Sequence, residues 1–418
     1  MALRDFRKAG HPPTLLAAFL YFDISFMVWV ILGPLGPFIG EAYKLSATQK
    51  GFLTAVPLLG GSFFRLILGW STERFGGRLT GLVGLSLTVI PLLLGWLVAD
   101  SFQAFLAVGV LLGVAGASFA AALPLAGAWY PPGHQGLAMG IAGAGNSGSL
   151  LATLFAPRLA QAIGWRNVFG LVIIPVVIVW IAFFFLARNA PLERKVKRWS
   201  DYAAILKVGD AGWFCFLYSL TFGGFVGLSS YLSIFFHDQY HLTKVQSGDF
   251  TTFVILFGSF LRPVGGALAD RLGGYRLLVR LLSGAALCMA GVATLPVAGV
   301  ALGMLAVGMG LLGMGNGSVF QLLPQRFPAS VGIMTGIVGA AGGLGGFLLP
   351  SILGTLKDKT GSFGTGFAVL AILACAGVAA LLALRTGWRV TWPPEAALRA
   401  GILPKSETVA ESYDAAAA

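Results

Sequence analysis

Charge is the scarcest commodity in this chain. Acidic and basic residues make up 11% of it, against roughly 25% in ordinary globular proteins, while hydrophobic residues reach 57% and mean hydropathy is +0.84. A water-soluble protein of 418 residues covers its surface with polar side chains, and this one has too few. Intrinsic disorder, a disulfide scaffold and a large soluble enzyme are thereby excluded. Histidine and cysteine are also rare, and they form no metal-ligand cluster and no nucleophile–base pair, so neither enzyme chemistry nor a cofactor is expected. Cys215, Cys288 and Cys375 lie in apolar runs and their odd number cannot pair completely, so they read as reduced packing residues. His11, His134, His237 and His241 fall in loops or termini and read as solvated. What remains is a polytopic membrane protein.

Helices of about 20 apolar residues cross a bilayer. Twelve such stretches are present: 14–37, 48–71, 79–98, 102–128, 136–161, 167–187, 211–236, 247–269, 276–296, 298–323, 331–356 and 363–385. The basic N-terminus precedes a run of full spanning length without a small-residue cleavage site, which reads as a first span and not as a removed signal. The expected organisation is a short N-terminal segment (1–13), a six-helix bundle (14–187), a polar linker (188–210), a second six-helix bundle (211–385) and a largely disordered tail (386–418). If both termini face the cytoplasm, 19 of the 28 Lys and Arg fall on that side and 7 on the other. The positive-inside rule selects this topology. The net charge of +12 is therefore a topology signal, with Arg194, Lys195, Lys197 and Arg198 available to anionic lipid headgroups, and not a nucleic-acid surface.

The second span reads GSFFRLILGWSTERFGGR (61–78) and the eighth GSFLRPVGGALADRLGGYR (258–276). One offset of 197 places Gly61 on Gly258, Arg65 on Arg262, Glu73 on Asp270, Arg74 on Arg271 and the Gly pair 76–77 on 273–274. The same offset places Gly113, Gly116 and Pro131 on Gly310, Gly313 and Pro328, and an offset of 196 superimposes parts of the fifth and eleventh spans. The chain is a tandem duplication of a six-helix unit, an architecture that places a solute site between the halves near the midplane. The twice-repeated loop G-x-x-x-[DE]-R-x-G-G resembles the signature loop of the major facilitator superfamily. Its Glu73, Arg74, Asp270 and Arg271 are expected to pair with neighbouring helix ends and latch one gate state.

Arg65 and Arg262 each lie 8 residues inside their loop acid, roughly 10–12 Å into the membrane. A charge at that depth costs at least about 2.5–3.5 kcal/mol on an isolated helix, so it faces a cavity or a partner. The only carboxylate well inside a span is Asp23, and one acid cannot neutralise two arginines. An anion is the natural complement. The planar guanidinium fork, charged at any physiological pH, suits a small planar oxyanion. The fifth span carries GAGNSG and the eleventh GAAGGLGGFLLP, close-packing glycine patterns that let helices approach and slide. Gly143, Gly145, Gly342, Gly343, Gly345 and Gly346 are the expected conformational elements. The literal G-x-G-x-x-G at 143–148 follows no strand and is no dinucleotide site. Asn146 is a lone amide in an apolar helix and either contacts the anion or ties helices together.

These Gly-rich spans, with FMVWVILGPLGPF, FLYSLTFGGFVGLS and GNGSVFQLLPQRFP, resemble the nitrate/nitrite porter family over nearly the whole chain. The resemblance implies an all-α fold of two pseudo-symmetric six-helix bundles and alternating-access transport of nitrate and nitrite in a bacterial cytoplasmic membrane by a monomer. It also implies that Arg65 and Arg262 clamp the anion, with Asn146 as the amide, Tyr218 as the phenol and Phe119 and Phe222 as sandwiching rings. Two couplings remain open: nitrate/nitrite antiport, or nitrate/proton symport with Asp23 as proton acceptor. Asp23 has an equally good structural reading, pairing with an arginine or capping an opened backbone. A short organic carboxylate is the alternative substrate.

Overall fold

A computed structural model describes residues 8–191 and 204–404, almost entirely as helix. The helices are α1 (Pro12–Ala42), α2 (Ala47–Phe75), α3 (Gly77–Leu97), α4 (Phe102–Gly127), α5 (132–163), α6 (Trp165–Leu186), α7 (Gly209–Tyr240), α8 (Lys244–Leu272), α9 (Gly274–Ala293), α10 (Ala298–Arg326), α11 (Val331–Thr360), α12 (Gly364–Thr391) and a short α13 (Pro394–Ala400). Among the described residues eleven helices are long and apolar enough to cross a bilayer. The remaining span, α5, differs from the expected 136–161: it is built from Pro132–Gly143, a 3₁₀ turn Ala144–Ser147 and Gly148–Ile163. The basic run Arg194–Arg198 lies outside the described residues.

The duplication reaches atomic detail. α2 opens on a capping box of Ser46 and Gln49, and α8 on one of Thr243 and Gln246, each pair satisfying orphan amides at a helix start. Both helices run 29 residues. Both end on a glycine, Gly76 at φ 90° and Gly273 at φ 84°, a conformation that a side chain would strain. Every one of these positions differs by 197.

The halves meet through α2 against α11, α5 against α8 and α1 against α7. All three ion pairs that bridge the halves among the described residues lie at the end opposite the termini. They are Lys50–Asp238 at 2.7 Å, Arg158–Asp249 at 2.7 Å and Lys244–Glu41. Asp358, near the C-terminus of α11, also accepts from the amides of Ala47 and Thr48 at 3.1 and 2.8 Å at the start of α2. Below these ties the seam is made of glycine. A methyl group on Gly51 would run into Pro350, and one on Gly354 into Ala47 and Gly51. The molecule is clamped shut at this end.

The other end carries the two loops expected to form the latch. Asp270 and Arg271 are exposed, with no hydrogen bond or ion pair among the described residues. The Arg74 guanidinium instead lies 5.5 Å from the Trp70 ring and 5.7 Å from the Phe75 ring.

Two further expectations are corrected. The tail is ordered as far as residue 404: α12 runs six residues past the expected end at 385, and α13 follows. Trp388 stacks on Phe214 at 6.0 Å and donates its indole N–H to Asp210 at 2.8 Å, while Trp392 packs beside it. Aromatic docking outweighs the low apolar periodicity there; residues 405–418 lie outside the described residues. His11 is no solvated side chain. It caps α1, accepting from the Thr14 amide at 3.2 Å, and stacks on Trp129 at 4.7 Å; burial first, and Arg188 second, hold its ring below the usual histidine range.

Candidate functional site

Arg65 is 2% exposed, and its reach is set by close helix contact. A methyl group on Gly113 would overlap the backbone of Gly60, so α2 and α4 touch. From there Arg65 Nε donates to the Gly116 carbonyl at 3.1 Å, and Nη1 crosses to the other half to donate to the Gly339 carbonyl of α11 at 2.5 Å. Its carbon centre lies 5.1, 5.4 and 5.1 Å from the rings of Trp29, Phe119 and Phe222. Carbonyls and ring faces offset part of the desolvation of a buried cation. No carboxylate pairs with it among the described residues, and Nη2 is buried without any hydrogen-bond partner.

Arg262 is half-buried. Its Nη2 donates to the Tyr218 hydroxyl over a long 3.4 Å, its centre lies 5.9 Å from the Phe320 ring, and its Nη1 is buried without a partner. Tyr218 stacks face to face on Phe222 at 5.1 Å and meets Phe320 edge-on at 5.1 Å. Phe222 in turn faces Arg65, and Phe320 lies 6.2 Å from Phe119. One aromatic cluster therefore joins two guanidinium groups from opposite halves, and each keeps one buried nitrogen without a hydrogen-bond partner.

Local sequence explains the cluster. Tyr218 is followed by a π-turn, Ser219–Gly223, a widening found often at functional sites. The turn beds on the glycines of α11. A methyl group at Gly342 would come 2.6 Å from the Tyr218 ring, one at Gly345 would strike Ser219, and one at Gly346 would come 2.6 Å from Val226. Gly343 faces the Ser62 hydroxyl across the halves. Gly145 and Gly148 admit the Asp23 backbone of α1 against the 3₁₀ turn. Gly143 differs from this pattern and from its expected packing role: a methyl group there would meet nothing within 4 Å.

Asn146 sits in the 3₁₀ turn with 0% exposure, and neither side-chain oxygen nor nitrogen has a hydrogen-bond partner. Among the described residues it makes no interhelical tie. An orphaned amide of this kind costs about 1–3 kcal/mol unless something else satisfies it. Asp23 takes part in no ion pair among the described residues; its Oδ1 accepts from the Ser147 hydroxyl at 2.7 Å, beside the break in α5. It is thus bound to the opened backbone segment and not to an arginine. The sequence alone does not single out Trp29, whose indole N–H donates to the Pro57 carbonyl at 2.7 Å, or Phe320. A buried indole N–H needs an acceptor, which is the one signal Trp29 carries; Phe320 is one of 32 phenylalanines and carries none.

Comparison with known proteins adds an independent line. The profile of the Major Facilitator Superfamily matches residues 16–350. A nitrite extrusion protein of Bacillus subtilis (strain 168) is 34% identical over 354 residues, covering 84% of this chain and 89% of that protein. A probable nitrate/nitrite transporter, NarK2, of Mycobacterium tuberculosis (strain ATCC 25618 / H37Rv) is 32% identical, covering 88% and 95%. A probable nitrate/nitrite antiporter, NarK1, of Thermus thermophilus is 31% identical, covering 85% and 87%. Among solved structures, a D-xylose–proton symporter superimposes with a TM-score of 0.68 at 17% identity, covering 92% of this chain and 97% of that one; at that identity the likeness speaks to the fold alone.

Proposed function

The chain belongs to the Major Facilitator Superfamily, and from that premise we propose that it exchanges nitrate for nitrite across the cytoplasmic membrane by alternating access, with both termini inside the cell. The observation that carries this reading is the pair of buried, unpartnered guanidinium nitrogens, Arg65 Nη2 and Arg262 Nη1, one from each half and both on one aromatic cluster. A flat oxyanion lies flush against ring faces and accepts from two forks at once, whereas a halide cannot use both donors of a fork. Phe119, Phe222 and Tyr218 shape the slot, and Asn146 offers its amide. The kinship with carriers supports a transporter over an enzyme.

Transport follows from electrostatics. Without anion, closing the halves brings two cations together in a low-dielectric interior; with anion between them the same movement is attractive. A ligand that binds the closed arrangement best shifts the population toward it. The empty carrier therefore resists the return step, which enforces exchange. The clamp of Lys50–Asp238, Arg158–Asp249 and Lys244–Glu41 supports a carrier sealed on the outside. On return, the Glu73–Arg74 and Asp270–Arg271 loops would take over as the latch, with the α11 glycines as the sliding surface. Exchange of like charges also avoids work against the membrane potential, about 2.3 kcal/mol per charge per 100 mV.

One observation favours a second coupling: Asp23 lies at the joint of α1 and the broken α5 with a single hydroxyl partner, so a proton there would act on a mobile element. Counterflow of labelled nitrate in proteoliposomes separates the two. Exchange requires internal nitrite or nitrate, ignores a pH gradient and survives Asp23→Asn within about threefold. Uptake into empty vesicles that is driven by a pH gradient and lost in Asp23→Asn would establish symport instead. In the same assay, competition by acetate or oxalate equal to that by nitrite would move the substrate to carboxylates.

A further inference from the structure

The second half of the molecule contains an amide that the site described above leaves unused. Asn316 of α10 has 0% exposure, and both its side-chain oxygen and nitrogen lack any hydrogen-bond partner. It shares this state with Asn146. Its surroundings fix its place. A methyl group on Gly315 would come 2.8 Å from the side chain of Thr221 in the π-turn of α7, and one on Gly317 would come 2.7 Å from the carbonyl of Arg262 on α8. Asn316 is bracketed between those two contacts, level with Arg262. One helical turn further on, on the same face of α10, Phe320 touches both Arg262 and Tyr218. The repeat gives an independent bearing. The offset of 197 that superimposes Arg65 on Arg262 also superimposes Phe119 on Asn316, and Phe119 is the ring that faces Arg65 at 5.4 Å. In the repeat, Asn316 occupies the sequence position relative to Arg262 that Phe119 occupies relative to Arg65.

We propose that Asn316 is a further binding residue of the anion site, donating its side-chain N–H to an oxyanion oxygen that the arginine forks do not reach, and so favouring a three-oxygen anion over a two-oxygen one. Two forks on opposite sides of a flat anion occupy two of its oxygens. Nitrite is then complete, while nitrate keeps a third oxygen that needs a donor. Each half supplies one fork and one amide, but the amides sit at non-equivalent positions of the repeat: Asn146 corresponds to Gly342, which is filled by the Tyr218 ring, and Asn316 corresponds to Phe119. The slot is consequently aromatic on the Arg65 side and has a polar corner on the Arg262 side, which gives a planar anion a preferred way round. An orphaned amide is costly in a purely structural role, and replacing it by an apolar group of like shape is then neutral or stabilising. That separates a ligand contact from a packing role.

This inference rests on the transport reading, and its test keeps the two apart. Purified full-length wild type, Asn316→Leu and Asn316→Asp are compared by thermal unfolding with and without nitrate or nitrite, and by uptake of each anion into proteoliposomes. The expected result is an Asn316→Leu protein that melts no lower than wild type without ligand. Its apparent nitrate affinity falls at least about tenfold, as for loss of one hydrogen bond to a charged ligand, while its nitrite affinity stays within about threefold. Asn316→Asp, which removes the donor and sets a carboxylate beside Arg262, loses stabilisation by both anions. Unchanged nitrate affinity in Asn316→Leu would overturn the inference. So would a fall in ligand-free melting temperature in both variants that accounts for the lost uptake, since that assigns Asn316 to packing. A wild-type protein stabilised by neither anion would overturn the transport reading itself.

Discussion

Arg65→Lys is expected to lower nitrate uptake at least about 100-fold although the charge at that position is unchanged. Arg65 spreads three functions over three nitrogens: Nε holds the Gly116 carbonyl, Nη1 holds Gly339 across the interface, and Nη2 is left over. A lysine ammonium is a single point with a different reach, and it cannot tie two carbonyls on different helices and still present a donor to a ligand. Charge-assisted hydrogen bonds contribute about 1.5–3 kcal/mol each, and losing two of them corresponds to a factor of roughly 100 or more. The variant keeps the ring faces of Trp29, Phe119 and Phe222 around a cation, so it should fold. Initial rates in proteoliposomes, read beside melting temperature, check this. Uptake within about threefold of wild type would mean that only positive charge matters and that the fork geometry has no part in recognition.

The second large effect is expected far from the anion. Gly354→Trp should abolish exchange, by about 100-fold or more, while nitrate still stabilises the protein. At Gly354 even a methyl group would meet the Ala47 carbonyl and come 3.2 Å from Gly51 Cα, so an indole cannot fit once α2 and α11 close at the end opposite the termini. The cost of forcing apart a packed seam is several kcal/mol, enough to displace a two-state equilibrium almost completely. The protein need not unfold, because alternating access contains a state in which this seam is already open. A reporter cysteine at Ser62, which faces Gly343 within the seam, makes the shift visible in a background without Cys215, Cys288 and Cys375. An impermeant thiol reagent added outside should label it quickly in Gly354→Trp and slowly in the parent. Normal exchange in Gly354→Trp would show that the seam opens no further during transport than an indole requires.

Much of the fold was legible because its signals are local. The spans show as apolar runs of about 20 residues, Gly76 and Gly273, whose φ only glycine adopts freely, belong to a loop pattern that occurs twice, and one numerical offset reveals the repeat. The break in α5 is different. Ala144–Ser147 lies inside a run of spanning length, and the close approach of α1, whose Asp23 backbone lies against Gly145 and Gly148, is a tertiary contact that the run alone does not announce. The ordered tail likewise depends on a partner, the Phe214 face on which Trp388 stacks, and no periodicity within 386–404 announces it.

The same division holds at the site. Arg65 and Arg262 stand out because a charge inside a membrane is rare and demands a reason. The rings around them do not. Whether a phenylalanine faces lipid or ligand is decided by which helix lies opposite, so Phe320 is indistinguishable in sequence from its many neighbours, and Phe119 and Phe222 enter only through family resemblance. Asn316 carries the signal that singles out Asn146, a solitary amide in an apolar helix; what sets it beside Arg262 is the packing of α10 on α7 and α8.

The central claim is that two arginines, one per half, complete their unused donors on a flat anion held between aromatic rings. A structure of the protein grown with nitrate tests this most directly. The account predicts nitrate density within hydrogen-bond distance, about 2.7–3.2 Å, of both Arg65 Nη2 and Arg262 Nη1, bounded by Phe119 and Phe222. Nitrate bound elsewhere, or either of those nitrogens found bonded to a protein carboxylate while the anion is present, would contradict it.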